Sequence, residues 1–255
     1  MSGKNRARSS ATVYRTYRRN LPGLYCFRVS VGETDLWVEA SWDCKREIEG
    51  SVRRLRIQLR DFIDRNPAFR TTLKPWDPKR TVGNTPEIAA VMIEAASKAD
   101  VGPMASVAGA IAGLLGKELA REGETLIIEN GGDIFLASPS ERIIGIFAGA
   151  SPFSQKIGLR IRPALFPLGV CTSAGTVGPS LSFGKADAVV VLAPEPALAD
   201  AAATAIGNRV RSAADLEKAA AWARTIPGLL GILIIIGPAL TAWGEIEILP
   251  VCVET

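Results

Sequence analysis

Asp200 and Thr204 stand four residues apart in an alanine-rich run, Ala199-Asp200-Ala201-Ala202-Ala203-Thr204-Ala205-Ile206. Residues at i and i+4 share one helix face. A carboxylate and a hydroxyl there can hold one hard cation, because Mg²⁺ takes oxygen ligands and keeps positions for water or phosphate. Upstream, Gly169 leads through a short apolar run into Cys171-Thr172-Ser173-Ala174-Gly175-Thr176-Val177-Gly178. Such a Gly/Ser/Thr loop can offer backbone N–H groups to a phosphate. A third candidate is the turn Asn130-Gly131-Gly132-Asp133, set between Leu126-Ile127-Ile128 and Ile134-Phe135-Leu136. Each feature also has a plainer reading. Asp200 can cap the start of its own helix. Asn130 to Asp133 can be a hairpin turn and nothing more.

Composition narrows the chemistry. The 255 residues include no histidine. That excludes imidazole bases, His-ligated zinc or haem, and Ser–His or Cys–His nucleophile pairs. Cys26, Cys44, Cys171 and Cys252 form no C-x-x-C pair, so the usual zinc patterns fail as well. Scattered thiols of this kind fit a reducing, cytoplasmic setting. Cys171 beside Thr172 and Ser173 can be read as a nucleophile or as a small buried residue. A thiolate needs an electropositive neighbour, and the nearest cation along the chain is Lys185.

The basic N-terminus lacks the apolar core of a signal peptide. The only membrane-like stretch, Leu229 to Leu240, is too short to span and contains Gly237-Pro238. It reads as a buried strand and its turn, and no membrane is expected as a partner. Residues 1–80 carry 18 of the 30 Lys and Arg but 9 of the 26 Asp and Glu, which leaves a net −5 for the remainder. That basic third could meet nucleic acid, an acidic partner or phosphates. It can equally be a tail plus a solvated helix face, with Arg53, Arg54, Arg56 and Arg60 turned to water. No RNA-binding motif is present, which argues against nucleic acid.

The elements that must position these residues follow from periodicity. Residues 1–10 read as a disordered polar tail and 11–255 as one domain. Tyr14, Tyr17, Tyr25, Phe27, Val29, Val31, Leu36 and Val38 alternate as antiparallel strands. A helix from Asp43 to Arg65 buries Ile48, Val52, Leu55, Leu59, Phe62 and Ile63. A long loop reaches Thr85, which caps a helix opened by Pro86 and ending near Ala99. A further helix runs from Ser106 to about Arg121. Its small residues Ala108, Gly109, Ala112 and Gly113 permit close packing or an approaching ligand. Strands at 143–148, 157–161 and 188–193 follow, with a helix from Pro196 and another from Ala213 to Arg224. Gly231–Ile236 and Glu245–Val251 are expected to close a last strand pair. The fold class is α+β: largely antiparallel sheets with helices on one face.

The run Ala199 to Ile206 resembles the A-D-A-L-A-T-A-L segment of the ApbE superfamily, the FAD:protein FMN transferases. Asn130-Gly131-Gly132-Asp133 is similar to that family's N-x-G-G-D turn, shortened by one residue. Ser151-Pro152-Phe153-Ser154-Gln155-Lys156-Ile157-Gly158 and the string from Cys171 to Ala188 resemble a cytosolic branch of it. The likeness runs from about Arg53 onward. It implies a T-fold-like architecture, with Mg²⁺ on Asp200 and Thr204. It implies FAD in a cleft between Asn130, Gly131, Gly132, Asp133 and the loop bearing Thr172, Ser173, Gly175 and Thr176. The implied reaction splits the FAD pyrophosphate and passes FMN to an acceptor protein or to water. Lys185 or Arg160 would neutralise charge. A module that binds a flavin or another phosphorylated ligand without turnover is the alternative, and a homo-oligomer remains open. The family's D-x-x-x-x-x-K-G segment is replaced here by Val101 to Gly109, and its H-I-x-D-P-x-T-G segment by Gly178 to Gly184.

Overall fold

The computed structural model describes residues 23–175 and 184–251. The expected tail at 1–10, the tyrosines Tyr14 and Tyr17, Thr176 and Cys252 lie outside the described residues. Strands β1 (Tyr25–Val31) and β2 (Thr34–Ala40) form a hairpin across Gly32, and helix α1 (Lys45–Arg65) follows. After α2 (Ala68–Thr71) come α3 (Glu87–Ala99) and α4 (Val107–Leu119), then β3 (Leu126–Asn130), β4 (Asp133–Ala137), β5 (Arg142–Gly145), β6 (Ile157–Ile161) and β7 (Leu168–Ser173). The chain continues through β8 (Ala188–Ala193), α5 (Pro196–Gly207), α6 (Leu216–Ala223), β9 (Gly231–Ile236), β10 (Ala239–Gly244) and β11 (Glu247–Pro250). Eight strands make one sheet in the order β1-β2-β3-β4-β7-β8-β9-β10, every pair antiparallel. A second sheet has the order β11-β6-β5.

Side-chain alternation divides the large sheet into two cores. Val189, Val191 and Ala193 of β8 join the core beneath the helices, while Ala188, Val190 and Leu192 join the core shared with the second sheet. A strand covered on both faces has no polar side to present, so β8 reads as an unbroken apolar run. Each valine or leucine buried this way stabilises the fold by about 1.5–3 kcal/mol. The helix layer is built by the expected stripes. Ile48, Val52, Leu55, Leu59 and Phe62 of α1 are buried. Among the described residues no single helix is long and apolar enough to cross a membrane; α3 and the run Pro103–Leu119 pass only as a pair bent by 102°.

Several expectations are corrected. The last strand pair is not Gly231–Ile236 with Glu245–Val251. β9 turns back at Gly237-Pro238 to pair with β10, and β11 crosses to β6 in the second sheet. Gly244, at φ +82°, redirects the chain with its Cα against the Leu230 carbonyl, where a Cβ could not fit. Thr85 does not cap α3, whose N-cap position is Pro86. The segment after α1 is an anchored connection: the Asn66 amide donates to the Phe62 and Val82 carbonyls and its oxygen accepts from the Val82 N–H. Phe69 and Trp76 are buried beneath it.

Candidate functional site

The β3–β4 hairpin and the end of β7 lie side by side. Ile134 pairs with Val170 and Phe135 with Gly169, so the same register sets Asp133 against Cys171. A Cβ built on Gly132 would lie 3.9 Å from the Thr172 carbonyl. Gly131 and Gly132 take φ of +69° and +113°, which L side chains rarely adopt, so the turn requires glycine. Strand alternation then aims the side chains. Phe135 and Cys171 face the helices. Asp133 and Ser173, each two residues away, face them too, as does Asn130, paired with Asp133. Thr172 pairs with Val190, which belongs to the other core, so its hydroxyl leaves on the opposite face. The backbone N–H of Thr172 bonds to the Asp133 carboxylate.

Helix α5 brings the remaining residues. Ten of its twelve residues are buried, and the two that reach solvent are Asp200 and Thr204. Asp200 does not cap its own helix. It lies in the second turn, and the N-cap position belongs to Glu195. Its Oδ2 accepts a 2.9 Å hydrogen bond from the Gly109 N–H, with a further backbone bond from Ala108. Those are two unsatisfied N–H groups of the first turn of α4. Ser106, at the N-cap of α4, gives its hydroxyl to the Pro103 carbonyl instead (2.8 Å). The Asn130 amide donates to the Ala108 carbonyl at 3.1 Å. The start of α4 is therefore held from the sheet by Asn130 and from α5 by Asp200. Gly109 must be glycine: an added Cβ would lie 2.8 Å from the Asp200 Cβ and closer still to the Pro196 carbonyl. The small residues of α4 serve packing, and their spacing was the sequence signal for this contact.

In the loop after β7 one backbone donor is already used: the Gly175 N–H bonds to the Ala186 carbonyl at 2.9 Å. Gly175, Gly184 and Gly207 meet backbone to backbone, since a Cβ on Gly175 would strike the Gly184 carbonyl and one on Gly184 the Gly207 carbonyl. The neck of the loop is thereby fixed to the last turn of α5.

The electrostatics are those of two crowded, buried carboxyls. Burial pushes the Asp133 carboxyl up to about 7, against the lowering effect of its bonds from Cys171 and Thr172. Asp200 retains some accessible surface but is packed round by protein. Its carboxyl is pushed well above the usual range by burial first and by the charge of Asp133 second. No lysine or arginine among the described residues counters either shift. Cys171 is fully buried, with Sγ 3.3 Å from the Pro196 carbonyl. Burial, then Asp133 and Asp200, push its thiol up, which favours the reading of Cys171 as a small buried residue. Arg160 does not join the site: it lies on β6 in the second sheet and pairs with Glu247 at 3.0 Å. Lys185 is exposed, its backbone N–H bonded to the Val210 carbonyl. No group of three or more His, Cys, Asp or Glu among the described residues is gathered to hold a metal unaided.

The family model described as AbpE bacteria matches residues 18–227. The chain belongs to this AbpE family. A UPF0280 protein of Methanocella arvoryzae is 41% identical over 197 residues, covering 77% of this chain and 79% of that one. A UPF0280 protein of Methanoculleus marisnigri is 47% identical over 192 residues, 75% and 76% of the two chains. A solved flavin transferase ApbE variant from Vibrio cholerae shares the fold, with a TM-score of 0.55 at 13% identity over 87% of this chain and 98% of that one. The AbpE family chain described here thus has the ApbE-type α+β architecture.

Proposed function

We propose that this protein binds FAD together with Mg²⁺ and splits the FAD pyrophosphate, passing FMN to an acceptor protein or to water. The observation that carries this reading is the surface of α5: ten of its twelve residues are buried, and the two that are only partly buried are Asp200 and Thr204, a turn apart. The donor set fits a hard cation, because Asp200 and Thr204 offer oxygen and, among the described residues, no cationic side chain offsets the carboxyls of Asp133 and Asp200. Bound Mg²⁺ would neutralise charge on the pyrophosphate.

The chain's own residues do the positioning. Asp200 is held by the Gly109 and Ala108 N–H groups, which fixes its rotamer before any ligand arrives. Gly131 and Gly132 present bare backbone beside Thr172, and Ser173 lies on the helix-facing side of the sheet. Thr176 belongs to the same proposed ligand loop. Phosphoryl transfer relies on placement and charge neutralisation, so the lack of histidine is no obstacle. The solved relative named as a flavin transferase supports the choice of ligand by fold alone.

Binding without turnover is the second reading. It is favoured by the position of Arg160, which the second sheet and Glu247 keep away from the site. Titration of the protein with FAD, with and without Mg²⁺, tests the first claim through flavin fluorescence. Analysis for AMP and FMN, and for a flavin-bearing acceptor protein, separates the two readings. Flavin affinity that ignores Mg²⁺ would sink the site assignment.

A further inference from the structure

We infer that the cation site of the proposed function has a sheet side: Asp133 and Ser173 complete it opposite Asp200 and Thr204. This rests on the reading of Asp200 and Thr204 as cation ligands. It moves Asp133 from the flavin contacts to the metal contacts.

Two observations carry it. The first is direction. Asp133 and Ser173 occupy helix-facing positions on neighbouring strands, one rung apart, at the end of the sheet where α4 begins and α5 crosses. Asn130, across from Asp133, and Asp200 hold opposite sides of the same α4 backbone at Ala108 and Gly109. Asp200 and Asn130, the strand partner of Asp133, therefore meet α4 at neighbouring residues from two layers. The second is satisfaction. Asp133 is only 8% exposed and Ser173 6%, yet Asp133 Oδ1 and Ser173 Oγ have no hydrogen-bond partner among the described residues. Buried polar atoms without partners are rare in folded proteins and call for a ligand, an ion or a water.

The chemistry selects among those. The set is all oxygen, two carboxylates and two hydroxyls, and two of those oxygens are buried without a partner among the described residues. A divalent cation suits that set, as it takes carboxylate and hydroxyl oxygens together. Asp133 is prepared for that role, because the Thr172 N–H bonds to its carboxylate and Oδ1 is left over. The flavin contacts of the hairpin then fall on the backbone of Gly131 and Gly132.

The test uses the full chain and Mn²⁺ as the probe for Mg²⁺, following free Mn²⁺ by its paramagnetic resonance signal, with and without FAD. Asp133→Asn keeps the shape and removes the charge. It should weaken Mn²⁺ binding tenfold or more. Ser173→Ala removes one oxygen and should weaken Mn²⁺ severalfold; it decides the matter if Asp133→Asn does not fold. Wild-type Mn²⁺ affinity in either folded variant would overturn the inference and leave the proposed function standing. A wild-type protein that binds no Mn²⁺, with or without FAD, would remove both.

Discussion

The Asp200 carboxylate accepts a 2.9 Å hydrogen bond from the backbone N–H of Gly109, ninety-one residues earlier in the chain. One side chain therefore performs two tasks. It completes the start of another helix, and in the proposed site its carboxylate is also a cation ligand. A cap is worth about 0.5–2 kcal/mol, so the two tasks can be separated by substitution.

Asp200→Asn keeps an acceptor for Gly109 and removes a charge that repels Asp133. The melting temperature should stay level or rise, while Mg²⁺-dependent FAD binding disappears. Gly109→Ala should do the reverse to stability. Its Cβ would press on the Pro196 carbonyl and the Asp200 Cβ, which costs about 1–3 kcal/mol by overpacking. Denaturant melts and flavin titrations on both variants check this. An Asp200→Asn protein with wild-type Mg²⁺ dependence would refute the assignment.

Asp133 predicts an unusual pH response in the cation-free protein. Its folded carboxyl titrates near 7, raised by burial above its usual value. The folded state therefore binds more protons than the unfolded state between those limits, and stability falls as pH rises through them. Asp200 is raised as well and adds in the same direction. Glu33, Asp215 and Glu247 are lowered and oppose the trend in more acidic solution. In chelator the melting temperature should climb as pH falls from about 7 to about 5. Asp133→Asn should flatten the climb; a flat wild-type profile would contradict the burial of a charged pair.

The arginines of α1 should not behave alike. Arg53 pairs with Glu49 and Arg54 with Glu118 at the surface, and Arg60 is exposed. Replacing these three with Gln should change stability by less than about 0.5 kcal/mol each. Arg56 differs. Its side chain is 16% exposed, and it bonds the Thr34 hydroxyl and Glu33 at the β1–β2 turn. Arg56→Gln should cost about 1–2 kcal/mol, because Thr34 is buried and loses a charged donor. Urea denaturation of the four single variants resolves the difference.

Cys171→Ala should leave FAD binding intact and cost about 1–2 kcal/mol as a small core truncation. The native protein should also resist thiol alkylation at this position, as Cys171 is fully buried. Rapid alkylation with loss of flavin binding would restore the nucleophile reading.

What was legible in the sequence was local. The run Ala188 to Ala193, the helix from Pro196 and the hairpin around Asn130 to Asp133 carry their own periodicity and turn chemistry, and the structure reproduces them. Asp200 and Thr204 share a face because four residues make about one turn. Illegible was whatever depended on a distant partner. Glu247–Pro250 is apolar and strand-like, but nothing within it selects β6 over β9. Arg160 looks available until Glu247 arrives beside it. Asp200 looks like a cap, and is one, for a helix that its own neighbourhood in sequence does not contain.

The sheet order carries a consequence for how the protein comes into being. β7 slots between β4 and β8, and the proposed site draws Gly109, Asn130 with Asp133, Ser173 and Asp200 from four separate stretches of chain. No contiguous fragment shorter than about Gly109 to Thr204 can display it. Nascent chains should therefore lack ligand affinity until α5 has left the ribosome. In hydrogen–deuterium exchange the Gly109 amide should rank among the slowest, since freeing it requires parting two helices that the sheet holds together.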